Sequence, residues 1–257
     1  MRLTTIRTLT LTATIAATFL LGVPLRAADD SGFNLDVLVD GSARPEYAHR
    51  GTVYVEALRG RNYALRLSNP TPYRVAVALS VDGLNTIDAK HTDPFRASKW
   101  VIDPYGSIEI EGWQMNEETA RRFYFTSERD SYGAKLGETA NLGVIEAVFY
   151  REKPRLPEFV LKQNHEQSER GAPSTSAASP AEGQSLARDY AATGIGERTR
   201  HDVEMIHMRL ERTPVASVRI RYEFRRELAR LGVLSERESR LERREHAHGF
   251  REFCPEP

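Results

Sequence analysis

Cysteine is almost absent. The one thiol, Cys254, leaves no internal disulfide to form, so stability has to come from a buried core. Net charge is absent as well: Lys plus Arg and Asp plus Glu number 36 each and are intermixed, which gives no global attraction to nucleic acid. After Leu25 no apolar run is long enough to cross a bilayer. No glycine-rich loop opens a helix, no nucleophile sits in a small-residue elbow, and no histidine pair has metal-ligand spacing beside a carboxylate. These gaps speak against dinucleotide binding, serine hydrolysis and zinc hydrolysis.

The N-terminus is what targeting segments look like. Arg2 and Arg7 supply positive charge, Leu9 to Leu21 is uncharged and apolar, and Pro24 breaks it before Leu25-Arg26-Ala27-Ala28. This predicts a signal peptide over residues 1–28, cut after Ala27 or Ala28. The mature chain is then expected in the periplasm or outside the cell, with no membrane span.

The stretch Tyr73 to Gly83, YRVAVALSVDG, reads as the strand on which the rest is organised. Val75, Val77, Leu79 and Val81 share one large apolar face, and Ala76, Ala78 and Ser80 the small opposite face. Asp82-Gly83 then closes a tight hairpin. Around it, short alternating runs at Phe33–Val39, Thr52–Leu58, Tyr63–Leu67, Trp100–Ile102, Ser107–Gly112, Arg122–Thr126 and Val144–Tyr150 are separated by turn residues. Only Asn116 to Arg121 looks helical. The pattern predicts a mostly β fold, an antiparallel β-sandwich or barrel-like module over residues 33–152.

Composition changes after Pro154. Residues 160–190, and Gln163 to Gln184 above all, hold Ser, Ala, Pro, Gly, Gln and Glu without periodicity, which reads as a disordered linker. Residues 191–234 read as a second unit. Ala191 to Gly196 reads as a turn-rich start, Val203 to Glu211 as one strand, and Val218 to Phe224 as its half-buried partner. A lone hairpin is marginal in water, so this C-terminal β-hairpin is expected to dock on the first module. Residues 235–257 read as a charged, exposed helix and tail.

Several of these strings resemble a group of exported bacterial proteins with no assigned activity. They are LDVLVDG (Leu35 to Gly41), YVEAL (Tyr54 to Leu58), RVAVALSVDGLNTID (Arg74 to Asp88), ASKWVIDPY (Ala97 to Tyr105) and IEGWQ (Ile110 to Gln114). ARRFYFTSERDSYGAKLG (Ala120 to Gly137), NLGVIEAVFYRE (Asn141 to Glu152), ATGIGE and IRYEFRREL…LGVL complete the pattern. The resemblance spans both ordered parts, skips the linker and leaves out the helix after Leu234. It implies export and names no reaction.

Each candidate for chemistry has a plainer reading beside it. Asp82, Asn85 and Asp88 lack the alternate spacing of a calcium loop and suit a hairpin turn. His246, His248 and Cys254 could meet a metal but read as an exposed helix with a frayed end, so no metal and no cofactor is expected. Tyr105, Trp113 and Tyr132 lie near loop ends, where rings stack on sugars or grip a peptide; Trp113 could equally fold back into the core. The function expected is a non-catalytic envelope or secreted module that binds a protein or a surface glycan, with no nucleic-acid partner. The alternatives are a carbohydrate-active hydrolase, which would show carboxylates clustered in a cleft, and a purely structural envelope component.

Overall fold

A computed structural model of the chain describes residues 31–154 and 190–234. The expected signal peptide, linker and terminal helix, with His246, His248 and Cys254, lie outside the described residues.

The strands follow in order as β1 (Asn34–Val39), β2 (Ser42–Ala43), β3 (Glu46–His49), β4 (Thr52–Ala57), β5 (Asn62–Ser68), β6 (Val75–Val81) and β7 (Leu84–Asn85). Then come β8 (Trp100–Ile102), β9 (Ser107–Ile110), β10 (Gly112–Gln114) and β11 (Thr119–Ser127), a short helix α1 (Tyr132–Leu136), and β12 (Val144–Arg151). The C-terminal part adds β13 (Ala191–Arg200), β14 (Ala216–Phe224) and a second short helix α2 (Arg225–Arg230). Arg50-Gly51 and Asp82-Gly83 hold positive φ at both positions and join β3 to β4 and β6 to β7 by two-residue hairpins, whose twist matches that of the flanking strands.

Two sheets form a β-sandwich. One runs β10-β11-β5-β1-β2, with β13 added on β11 and β9 on β5. The other runs β3-β4-β14-β12-β6-β7, with β8 also on β6. The pairings are antiparallel except β14 on β4, which is parallel. The core lies between the sheets. Val75, Val77, Leu79 and Val81 of β6 are 0 % exposed there, beside Leu35, Leu65, Phe125, Phe149 and Ile220. The small face of β6 points outward, and Ala76 and Ala78 are closely covered on that side too. Both faces of the strand are thus as its residue sizes predict.

The C-terminal strands differ from the expected docked hairpin. β13 and β14 belong to different sheets: β13 pairs with β11, whereas β14 lies between β12 and β4. Ala191 to Arg200 is extended, not a turn, because its glycines make room. A Cβ on Gly194 would lie 2.2 Å from Tyr124 Cζ, and one on Gly196 2.8 Å from the Arg122 carbonyl. The stretch expected as a strand, Val203 to Glu211, is irregular apart from a bridge between Leu210 and Glu152. It carries the chain from one sheet to the other, and Met205 on it is 82 % exposed.

One local expectation also changes. Asn116 to Arg121 is not helical: Asn116 Oδ1 accepts the N–H groups of Glu118 and Thr119 at 3.0 and 2.9 Å, a side-chain turn that competes with helix. Helix forms later instead, at α1: Ser131 is its N-cap and accepts Ala134 N–H at 3.0 Å, while Gly137 closes it at φ 79°.

Candidate functional site

The three aromatic candidates do not form one surface. Tyr105 is 72 % exposed at the turn between β8 and β9, where its N–H donates to the Thr71 carbonyl at 3.1 Å. Trp113 is only 2 % exposed and offers no ring face to a ligand. Its indole packs edge-on against Phe123 at 5.1 Å, meets Tyr132 at 5.0 Å and donates from Nε1 to the Gly194 carbonyl at 3.1 Å. Gly112 allows this inward placement, because β10 there lies so close to β11 that an added Cβ would sit 2.0 Å from the Arg121 carbonyl. Tyr132 is half-buried against the core. Of the three, only Tyr105 remains open to solvent.

The most perturbed acids hold the C-terminal strands in place. Asp82 is 2 % exposed. Its carboxylate accepts Gly143 N–H at 2.8 Å, Thr193 N–H at 2.7 Å and the Tyr222 hydroxyl at 2.5 Å. The Thr193 hydroxyl bonds Tyr222 and Tyr63, each at 2.6 Å, so the network crosses from one sheet to the other. Burial pushes the Asp82 carboxyl up to about 6, against the pull of these donors. Burial also holds the hydroxyls of Tyr63 and Tyr222 well above the usual phenol range, and the Asp82 charge adds to it. One residue beyond Tyr222, Glu223 takes Ala191 N–H on both oxygens, at 2.8 and 3.1 Å. Burial moves it up to about 7. Asp82 and Glu223 therefore cap donors of Ala191 and Thr193 at the start of β13. Every oxygen of the pair has a protein partner, so the two acids fasten the start of β13 to the second sheet.

A groove opens on the outer face of the second sheet, with a volume of about 410 Å³. Its floor is the small face of β6, Ala78 and Ser80, together with Val148 of β12. The register sets Ser80 beside Glu146, and Glu146 beside Arg219, so the floor runs across three strands. The loop after β7 makes one wall, carrying Lys90, His91 and Asp93, while Arg219 and Arg221 of β14 stand at the other side.

That wall is tied down at many points. Asn85 Nδ2 donates to the Ser98 carbonyl at 2.8 Å, and Asp88 accepts Lys90 N–H at 3.1 Å and Ser98 Oγ at 3.0 Å. His91 Nδ1 lies 2.9 Å from the Gly83 carbonyl. Trp100 Nε1 donates to Thr86 Oγ1 at 2.9 Å. Lys99 donates to the Phe95 and Ala97 carbonyls, both at 2.7 Å, and stands over the Phe95 and Tyr150 rings. Burial lowers its pKa. Asn85 and Asp88 thus serve loop closure, while Asp82 points into the core. No group of three His, Cys, Asp or Glu side chains suited to a metal occurs among the described residues.

Sequence reasoning identified the small face of β6 and the half-buried strand Val218 to Phe224 that carries Arg219 and Arg221. It did not join them, because only long-range pairing puts β14 next to β12. No family model, curated protein or solved structure matches the chain.

Proposed function

We propose that the protein is an exported, non-catalytic module of the bacterial envelope or secretome, and that it binds a glycan in the groove over β6, β12 and β14. The preformed groove carries this reading. Its volume, about 410 Å³, lies in the range of small-ligand sites, and its wall is braced before any ligand arrives. A stable protein interface buries roughly 800 Å² on each partner, more than such a groove offers. Export rests on the Arg2 to Ala28 pattern and on the resemblance to exported proteins. The binding reading is favoured over hydrolysis because the groove's acids are engaged: Glu146 by Arg219 at 2.7 Å and Asp93 by Phe95 N–H at 3.0 Å.

The test is retention of the protein on immobilised polysaccharide from its own cell envelope. Ser80→Trp, which fills the floor of the groove, is expected to abolish retention while the thermal midpoint stays within about 3 °C, as expected for a half-exposed site. Retention that survives Ser80→Trp would remove the groove from the account. Release of shortened glycan, abolished by Glu146→Gln, would make the protein a hydrolase.

A further inference from the structure

The charges around the groove are not balanced. Arg219 is neutralised by Glu146, its neighbour on β12, at 2.7 Å. Arg221, two residues on and on the same face, has no acidic partner among the described residues; nor has Lys90 on the facing wall. Both are exposed. Asp93, on the same wall, is the acid left to oppose them. An arginine without a partner at the rim of a cavity is a ready site for a carboxylate, which it can engage through two parallel N–H donors.

The rest of the lining narrows the ligand further. Among the described residues no Trp, Tyr or Phe lines the groove, so a neutral sugar would find no ring face there to stack on. Hydroxyl-to-protein hydrogen bonds alone exchange for bonds to water and add little net affinity. Ser80, Thr92 and Asn141 nonetheless offer hydroxyl and amide groups, and the second oxygens of Asp93 and Glu146, not the ones held by Phe95 N–H and Arg219, can accept from ligand hydroxyls. Those two acids would repel a dense anion such as a polyphosphate, but they suit a chain of hydroxyl-bearing units with one carboxylate each.

We propose that the groove selects an acidic glycan, a polymer of uronic-acid type, and that Arg221 and Lys90 read its carboxylates. This rests on the glycan-binding reading above and adds the charge of the ligand to it. Arg221 contributes direction, through its planar fork, and Lys90 contributes a mobile point charge on the opposite wall. Binding is then salt-dependent, since both cations are at the surface.

The experiment is calorimetric titration of the full chain with tri-galacturonic acid and with its methyl ester, which has the same hydroxyls and no charge. The acid is expected to bind at least about tenfold more tightly than the ester, the size of one charge-assisted contact. Arg221→Gln and Lys90→Gln are each expected to lose about tenfold for the acid and nothing for the ester, with unchanged thermal midpoints. Tyr105→Ala is expected to bind as the parent does. Raising salt from 50 to 300 mM should weaken the acid alone, on the order of severalfold. Equal affinity for acid and ester, both lost in Ser80→Trp, would overturn the charge selection and leave the groove as a neutral-sugar site. Failure of both to bind, with an acidic peptide binding instead, would overturn both readings. Failure of all three probes while envelope polysaccharide is retained through Ser80 would overturn the uronic-acid assignment alone.

Discussion

Asp82 joins a turn, the core and the two C-terminal strands in one residue. Its backbone supplies the positive φ of the hairpin after β6, and its carboxylate holds Gly143, Thr193 and Tyr222. Asp82→Asn keeps the shape but turns an NH₂ group towards a donor. It should cost about 1–3 kcal/mol in urea unfolding, the penalty of a buried donor left without an acceptor. The pH dependence follows from the raised pKa. A carboxyl that titrates at about 6 when folded and near 3.8 when unfolded binds its proton more tightly in the fold. Its contribution is full below about pH 4, declines as pH rises to 6, and is level above, a change on the order of 3 kcal/mol from about 1.4 kcal/mol per unit. The stability of the parent chain minus that of Asp82→Asn should fall across this window. A difference that rises there would mean that the three donors outweigh burial. The Asp-Gly turn was legible from two residues. The network was not, because Thr193 and Tyr222 are 111 and 140 positions away.

Two glycine-bearing strands explain where local reading succeeded and where it failed. Gly112 ends one expected strand and Gly194 falls in an expected turn, yet Gly112 opens β10 and Gly194 lies within β13, both at points of close approach. The obstacles differ. At Gly112 an added Cβ meets the Arg121 carbonyl at 2.0 Å, and backbone cannot yield; at Gly194 it meets the far end of the Tyr124 side chain at 2.2 Å, which can swing outward. Gly112→Ala should therefore destabilise by about 2–3 kcal/mol or more, and Gly194→Ala by roughly half as much, as read from denaturant midpoints at constant m-value. The Gly194 cost should shrink further in Tyr124→Ala, and the Gly112 cost should not. Equal effects in both backgrounds would show that the ring does not occupy the space above Gly194. Alternation sufficed for β1, β4, β5, β6, β12 and β14, where packing obeys the period of two. It failed at Val203 to Glu211, where apolar residues such as Met205 lie in an exposed crossing instead of a ladder.

The molecule as a whole is one sandwich made from two distant parts of the chain. The sequence divides it at the change of composition after Pro154, but the fold does not, since β13 completes one sheet and β14 lies inside the other. β14 alone buries Val218, Ile220, Tyr222 and Phe224, worth about 1.5–3 kcal/mol each, which together rival the whole margin of roughly 5–15 kcal/mol for a domain. It also brings Arg219 and Arg221 to the groove, so the proposed binding depends on the same strand. Composition could show the break but not the return, because what decides the return is the unfilled place between β4 and β12. The direct test is to introduce a specific protease site between Gln163 and Gln184, cut the folded protein, and follow it by gel filtration and urea unfolding. The two pieces should co-elute as one species, unfold in one cooperative step, and leave no folded residues 33–152 once the C-terminal piece is removed in denaturant. Separation of the pieces under native conditions, with the N-terminal piece still folded, would contradict the account.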